Sequence, residues 1–164
     1  MTKSSKDKAE KHKVIASNRR ALSKYEILET MEAGIMLTGP EVKSVRAGRV
    51  NLQDGFARVD NEEAYLWHVH ISPYAQGAMH LEQNPVRPRK LLLNRSEINK
   101  WMGRTITKGL TIVPLEMYFS KRGFAKVKIA LAKGKRGPDR REDLRRRTVD
   151  REIQREFSGR HRIR

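Results

Sequence analysis

His68 and His70 are the most conspicuous pair of chemically reactive side chains in this chain. Two imidazoles separated by one residue on a strand point to the same face, a spacing that can ligate a metal ion. No cysteine occurs in the 164 residues, and neither a third histidine nor an HExxH element lies close to the pair. We therefore interpret both as strand histidines that face a polar surface or RNA, and we expect no metal site.

Other enzyme signatures are missing from the sequence. It contains no GxxxxGK[ST] phosphate-binding loop, GxGxxG turn or GxSxG nucleophile elbow, and Gly134-Lys135-Arg136 is too short to count as one. Glu32 and Glu41 are isolated carboxylates, of which Glu41 is explained by helix capping and Glu32 reads as a surface residue. We expect a protein that is not an enzyme and has no cofactor; the alternative is an enzyme that uses the two histidines with a carboxylate.

The charge balance favours a polyanionic partner. Lys and Arg number 36 against 19 Asp and Glu, a formal net charge of +17. Most of the excess lies in residues 1–24 and 133–164, whereas residues 25–132 are nearly balanced and hold most of the apolar residues. The sequence shows neither a secretory signal nor an apolar run of the ~18 residues that a spanning helix needs. With no cysteine, we expect a soluble protein of the reducing cytoplasm.

Two basic clusters of the central segment could meet phosphate groups. Lys126 and Lys128 alternate with apolar residues, so both ammonium groups should point the same way into solvent. The second cluster, residues 87–90 (RPRK), precedes an apolar triplet. Two interpretations explain this second cluster equally well: a solvated loop that leads into a buried strand, and a contact with phosphate.

The first elements of the central segment are a strand and a short helix. Apolar and β-branched residues interrupted by a glycine favour two strand segments or one bulged strand over 25–37. Thr38 and Glu41 have the spacing of a capping box. They predict a helix over 40–47 that ends at Gly48.

Two hairpins and a second helix complete the predicted elements. The hairpins cover 56–71, with a turn at 60–62, and 110–132, where Pro114 implies a bulge or an edge. The core side of the first hairpin's second arm is predicted to be Tyr65, Trp67, Val69 and Ile71. Between the hairpins, Asn94 and Glu97 should cap a helix that packs by Trp101 and ends at Gly103.

These elements predict a mainly β fold, a small antiparallel β-barrel of the oligonucleotide-binding (OB) type with two or three short accessory helices. We divide the chain into a flexible basic arm (1–13), an OB-like barrel (14–132) and a basic tail (133–164). Like charges at Arg145, Arg146 and Arg147 oppose an isolated helix in the tail. We expect the tail to be disordered alone and helical against RNA.

Several blocks of sequence together resemble one known family, the SsrA-binding proteins (SmpB). The resemblance covers roughly residues 14–150, and its GxEVKSxRxG and RxRKLLL blocks are highly specific. The matching blocks are residues 15–21 (IASNRRA), 32–35 (EAGI), 39–48 (GPEVKSVRAG), 71–74 (ISPY), 87–93 (RPRKLLL), 109–114 (GLTIVP) and 132–136 (AKGKR).

The resemblance implies a non-enzymatic RNA-binding protein of ribosome rescue. It would bind the tRNA-like domain of transfer-messenger RNA (tmRNA, or SsrA RNA) and reach the stalled 70S ribosome with aminoacyl-tmRNA and elongation factor Tu. There it would mimic the missing anticodon arm, so that incomplete polypeptides are tagged for degradation. A monomeric barrel of OB type with a basic tail and no membrane contact is implied as well. A general ribosomal or RNA-chaperone protein is the binding alternative, because charge alone supports both.

Site residues follow from the same resemblance. The family's tmRNA-contact positions correspond to Asn18, Arg19, Glu32, Leu92 and Lys126, and Lys128 on the same strand face joins them.

The tail motifs, which the family uses in the decoding site and mRNA channel of the ribosome, depart slightly from the common pattern. Arg140 replaces the commoner lysine, which keeps the charge and changes the donor geometry. Pro138 stands where the family often has His or an aromatic residue, and proline offers no aromatic face for stacking. The motif positions are Gly134, Lys135, Arg136, Asp139, Arg140 and Arg141.

Overall fold

A computed structural model describes residues 13–75 and 84–135 of the chain. These residues form nine strands and three helices. The strands are β1 (Val14–Ser17), β2 (Tyr25–Ile35), β3 (Val50–Asn51), β4 (Phe56–Asp60), β5 (Glu63–Trp67), β6 (His70–Ile71), β7 (Arg89–Leu92), β8 (Thr111–Phe119) and β9 (Ala125–Gly134). The helices are α1 (Arg19–Lys24), α2 (Gly39–Arg46) and α3 (Arg95–Lys108).

Six antiparallel strands close into a ring. Their order is β8-β4-β5-β7-β2-β9, and β9 pairs back with β8. The ring is uneven: β9 pairs with β2 and β8 over most of its length, whereas Ala57 and Ile112 form the one paired position between β4 and β8. Strand β1 adds to β8, and β3 and β6 form a separate two-stranded ribbon. The prediction of a mainly β, antiparallel barrel with short helices is confirmed.

Side-chain alternation fills the ring on one face of each strand. On β9, Val127, Ile129 and Leu131 are fully buried in the main core, and Trp101 of α3 joins them. Ala130, on the opposite face of β9, is also fully buried, in a smaller cluster that includes Ala21 of α1. α1 therefore covers part of the outside of the barrel next to β8 and β9.

The local signals at α2 act as the sequence predicts. The Glu41 carboxylate accepts a hydrogen bond from the Thr38 amide at 2.9 Å, which completes the capping box. Pro40 lies in the first turn, where its missing N–H is not needed. Gly48, at φ 74°, follows the helix in a left-handed conformation that favours glycine.

Irregularities expected in the strands are also present. β2 is one strand with a bulge between Ile27 and Glu29, and the pairing of β8 with β9 shifts after Pro114. The first hairpin turns through Asn61 and Glu62, both at positive φ, which is the geometry of a two-residue turn that follows strand twist.

The predicted end of α3 at Gly103 is wrong. The helix continues through this exposed glycine to Lys108 and ends at Gly109, whose φ of 59° is left-handed. A glycine inside a helix costs only about 1 kcal/mol relative to alanine. Burial of Ile98 and Trp101, together with pairing of Arg104 to Glu29, holds the helix on the barrel.

The predicted core face of the first hairpin is wrong in its first half. β5 buries Leu66 and leaves Trp67 half-buried, whereas Val69 is fully buried beyond it. The alternation of buried and exposed side chains reverses at His68, whose φ of 56° interrupts the strand. His68 and His70 therefore do not share one continuous strand face.

Candidate nucleic-acid interface

Two lysines on β9 point to the outside of the barrel. Lys126 and Lys128 flank the inward-facing Val127, so they stand on the outer face between β2 and β8. The strand register places Glu32 of β2 beside Lys128. Leu92 of β7 pairs with Gly34 of β2, two residues further along. We call the surface formed by Glu32, Leu92, Lys126 and Lys128 the lysine face.

Glu32 connects the strands of this face. Its carboxylate accepts a hydrogen bond from the Tyr118 hydroxyl and forms an ion pair with the Lys126 ammonium group. Burial, and next the hydrogen bond to Glu32, raise the pKa of Tyr118, so the phenol keeps its proton and stays a donor. Glu32 thus fixes the direction of Lys126 while its own side chain remains 43 % exposed.

Leu92 presents an apolar surface beside these charges. Its side chain is 54 % exposed. A Cβ built on Gly34 would lie only 3.2 Å from the Leu92 Cβ, so the glycine leaves the room in which Leu92 lies. Glu32, Leu92 and Lys126 line a groove of about 580 Å³. The structure therefore brings together these three residues, which are remote in sequence.

The other rim of the groove carries cations that are already paired. Lys90 bonds to Glu63, and Arg95 bonds to Glu62. The hydrogen bond from Lys90, followed by one from Tyr65, lowers the pKa of Glu63; the Lys90 pKa rises through the same bond. An anionic ligand in the groove would compete with carboxylates rather than meet bare cations.

Asn18 and Arg19 follow β1 and differ in exposure. Asn18 is only 2 % exposed, and its amide donates to the carbonyl oxygens of Leu52 at 2.9 Å and Pro114 at 3.0 Å. Its side-chain oxygen accepts from the Ala21 amide and caps α1. The cap leaves Arg19, the first residue of α1, exposed at the surface.

A buried ion cluster behind the groove was missed by the sequence reading. Arg89 is fully buried, which corrects both interpretations, the solvated loop and the phosphate contact, for this residue of the 87–90 cluster. Its Nε donates to Glu41 at 2.9 Å, and its other nitrogens donate to the carbonyl oxygens of Val69 at 2.7 Å and Pro85 at 2.9 Å. Arg87 donates to the same carboxylate at 2.6 Å.

The cluster links α2 to β7. Burial raises the pKa of Glu41, but hydrogen bonds from Arg87 and the Thr38 amide, with the charge of Arg89, outweigh burial and lower it. Glu41 is therefore ionised as well as capping its helix. Because Leu92 stands three residues after Arg89 on β7, the cluster also fixes the strand that carries Leu92. Arg87 and Arg89, two arginines one residue apart just before an apolar triplet, were the available signal.

The remaining predicted residues are placed only in part. Gly134 ends β9 and Lys135 follows it, both exposed. The other tail positions, Arg136, Pro138, Asp139, Arg140 and Arg141, and the predicted disorder or helix of the tail, lie outside the described residues.

Within 13–75 and 84–135 no three His, Cys, Asp or Glu side chains form a group that could hold a metal ion. In the same ranges no helix is long and apolar enough to cross a membrane.

A closed antiparallel barrel with lysines on one outer face defines a small protein of the OB type, a class that includes many nucleic-acid-binding proteins. Residues 15–159 match the family model described as "SmpB protein". The chain belongs to this family.

Individual relatives agree with the family match. An SsrA-binding protein of Nostoc punctiforme is 58 % identical over 149 residues, covering 91 % of this chain and 96 % of the relative. One from Enterococcus faecalis is 53 % identical over 150 residues, with 92 % and 96 % covered. A solved structure described as "tmRNA-SmpB: a journey to the center of the bacterial ribosome" has a TM-score of 0.63 and 49 % identity, and the match covers 76 % of this chain and 86 % of that one.

Proposed function

We propose that this protein binds tmRNA and acts with it in trans-translation on stalled ribosomes. The family match over residues 15–159, with relatives named SsrA-binding proteins, carries this proposal. The protein binds the tRNA-like domain of tmRNA and takes the place of its missing anticodon arm. It brings aminoacyl-tmRNA, with elongation factor Tu, to the 70S ribosome. This places it in the cytoplasm.

The lysine face is the proposed tmRNA surface of the barrel. Lys126 and Lys128 supply two ammonium groups to phosphates, and Glu32 orients Lys126 and offers an acceptor to ribose hydroxyls. Leu92 offers an exposed apolar contact to the face of a base or the C–H groups of a ribose next to these charges. A carboxylate and a leucine at the centre favour a shaped RNA site over general attraction to polyanions.

Arg19, the first residue of α1, is the proposed contact outside the lysine face. Asn18 acts through it: the buried amide fixes the start of α1 and so holds Arg19 at the surface. Ser17, two residues before Arg19, pairs with Glu116 of β8, and Glu116 pairs with Lys128 of β9. About two strand spacings, or about 10 Å, therefore separate the end of β1 from Lys128.

The tail is proposed to act on the ribosome. β9 ends at Gly134, so the basic tail motifs follow in sequence the strand that carries Lys126. Replacing Arg136, Arg140 and Arg141 by alanine should leave tmRNA affinity within about twofold and abolish tagging of a stalled polypeptide in a translation assay.

Competition binding tests the proposed function. The full chain is titrated with labelled tmRNA at one fixed salt concentration against unlabelled tmRNA or bulk tRNA. We expect tmRNA to compete far better than tRNA. Equal competition would identify a general RNA-binding protein and overturn the proposal.

We further propose binding without catalysis. His70 begins β6, whereas His68 lies between β5 and β6 and stacks on Phe56 with ring centroids 5.5 Å apart. Incubation of tmRNA with the purified protein should therefore leave the RNA intact and unmodified. Cleavage that disappears in His70→Ala would contradict this.

A further inference from the structure

Phe124 is the most exposed aromatic side chain in the part of the chain that the structure describes. It is 65 % exposed, whereas every other Phe, Tyr and Trp within 13–75 and 84–135 is half-buried or buried. A single exposed apolar residue is common on proteins. Two further observations, its rigid backbone and its alignment with the lysines, distinguish Phe124.

The backbone of Phe124 is held at the tip of the β8–β9 hairpin. Its carbonyl oxygen accepts from the Ser120 amide at 2.9 Å, and its own amide donates to the Ser120 hydroxyl at 3.2 Å. Gly123, at φ 82°, makes the turn between them. Because the backbone N–H and C=O of Phe124 are both hydrogen-bonded, binding of a ligand would cost little entropy for ordering this backbone.

Phe124 begins the row of side chains that contains the two lysines. It immediately precedes β9, and alternation puts residues 124, 126 and 128 on the same side of the strand. Neighbours in this row are about 6.6 Å apart. This is close to the distance between successive phosphates of an extended RNA strand, so one such strand could place a base on Phe124 and phosphates beside Lys126 and Lys128.

We propose that Phe124 stacks on an unpaired nucleobase of bound tmRNA, whose backbone passes along Lys126 and Lys128. The contact rests on the proposed function and adds a base contact to it. An aromatic ring stacks on any base, so the contact does not depend on which base the RNA has at this position. It requires an unstacked base, which selects loops and bulges over duplex RNA.

The test compares Phe124→Leu, which keeps an apolar side chain without an aromatic face, with Phe124→Trp, which keeps the stack. Ile106→Ala, at an exposed apolar position of α3, is the matched control for loss of apolar surface. Affinities of the full chains are measured for tmRNA and for a long, fully paired RNA duplex, over a range of salt concentrations.

We expect Phe124→Leu to weaken tmRNA binding on the order of tenfold with an unchanged salt slope, because stacking releases no counterions. Phe124→Trp should bind as the wild type, with tryptophan fluorescence quenched by the RNA. Ile106→Ala, and duplex binding by all variants, should be unaffected.

Wild-type tmRNA affinity in Phe124→Leu would overturn the stacking proposal. If that variant instead lost only ribosome engagement, the proposal would also be overturned, with Phe124 assigned to the ribosome. Equal binding of tmRNA and bulk tRNA by the wild type would be a separate result, which would contradict the proposed function itself.

Discussion

Replacing Glu41 by alanine should strongly destabilise the barrel. The carboxylate accepts from the Thr38 amide, from two nitrogens of Arg87 and from Arg89. Arg89 is fully buried and would keep its charge with only carbonyl oxygens as partners. Breaking a buried pair from one side costs about 3 to 5 kcal/mol. This is a large part of the 5 to 15 kcal/mol typical of a domain's free energy of unfolding.

Urea unfolding followed by circular dichroism measures this loss. Glu41→Met and Arg89→Met should each be destabilised comparably, but the double variant Glu41→Met with Arg89→Met should retain at least about 2 kcal/mol more than the sum of these two single losses predicts. Asp60→Asn breaks the exposed pair with Arg58 and is the control, with an expected cost below about 1 kcal/mol. A loss below 1 kcal/mol in Glu41→Ala would refute a stabilising role for the cluster.

The same carboxylate makes stability depend on pH. Because the folded-state pKa of Glu41 lies below its reference value of 4.5, ionised Glu41 stabilises the fold above that pH. This contribution is lost as the pH falls through the lower, folded-state pKa. Glu41→Gln should therefore show a flatter loss of stability in acid than the wild type. Parallel acid curves for the two proteins would argue against this assignment.

Further substitutions at Gly34, Lys126 and Asn18 test the site. Gly34→Val should weaken tmRNA binding in gel shifts, because its Cβ displaces Leu92, while Leu92→Ala in the same background should add little. Lys126→Ala should lower the salt slope of tmRNA binding by about one, and an unchanged slope would put this lysine outside the interface. Asn18→Ala should cost about 2 to 4 kcal/mol in urea unfolding by leaving two carbonyl oxygens and the α1 cap unsatisfied, and Asn18→Asp should not restore it, since both donors are lost.

Local signals predicted much of the fold because they act between near neighbours. The capping box at Thr38 and Glu41 and the bulge after Pro114 each depend on a few adjacent residues. The phase reversal at His68 could not be predicted, because it needs a positive φ, which remains uncommon outside glycine even though His adopts it more often than most residues. Continuation of α3 through Gly103 depends on tertiary contacts that outweigh local propensity.

Strand alternation predicted the outward direction of Lys126 and Lys128, but the rest of the candidate site was predictable only through family resemblance. Glu32, Leu92 and Lys126 meet because β2 pairs with β7 on one edge and with β9 on the other. No pattern in a single sequence reports such pairing. The burial of Arg89 depends on the same closure, since its acid partner stands 48 positions earlier in the chain.

The long ladders on both edges of β9 also have a mechanical consequence. Its last residues remain paired, Ala132 with both Ile27 and Thr111, and Gly134 with Tyr25. A pull along the strand axis on the chain beyond Lys135 would load these hydrogen bonds together in shear rather than open them one after another. Strand β9 would then transmit tension to the whole ring and keep the lysine face in place while the tail is under force.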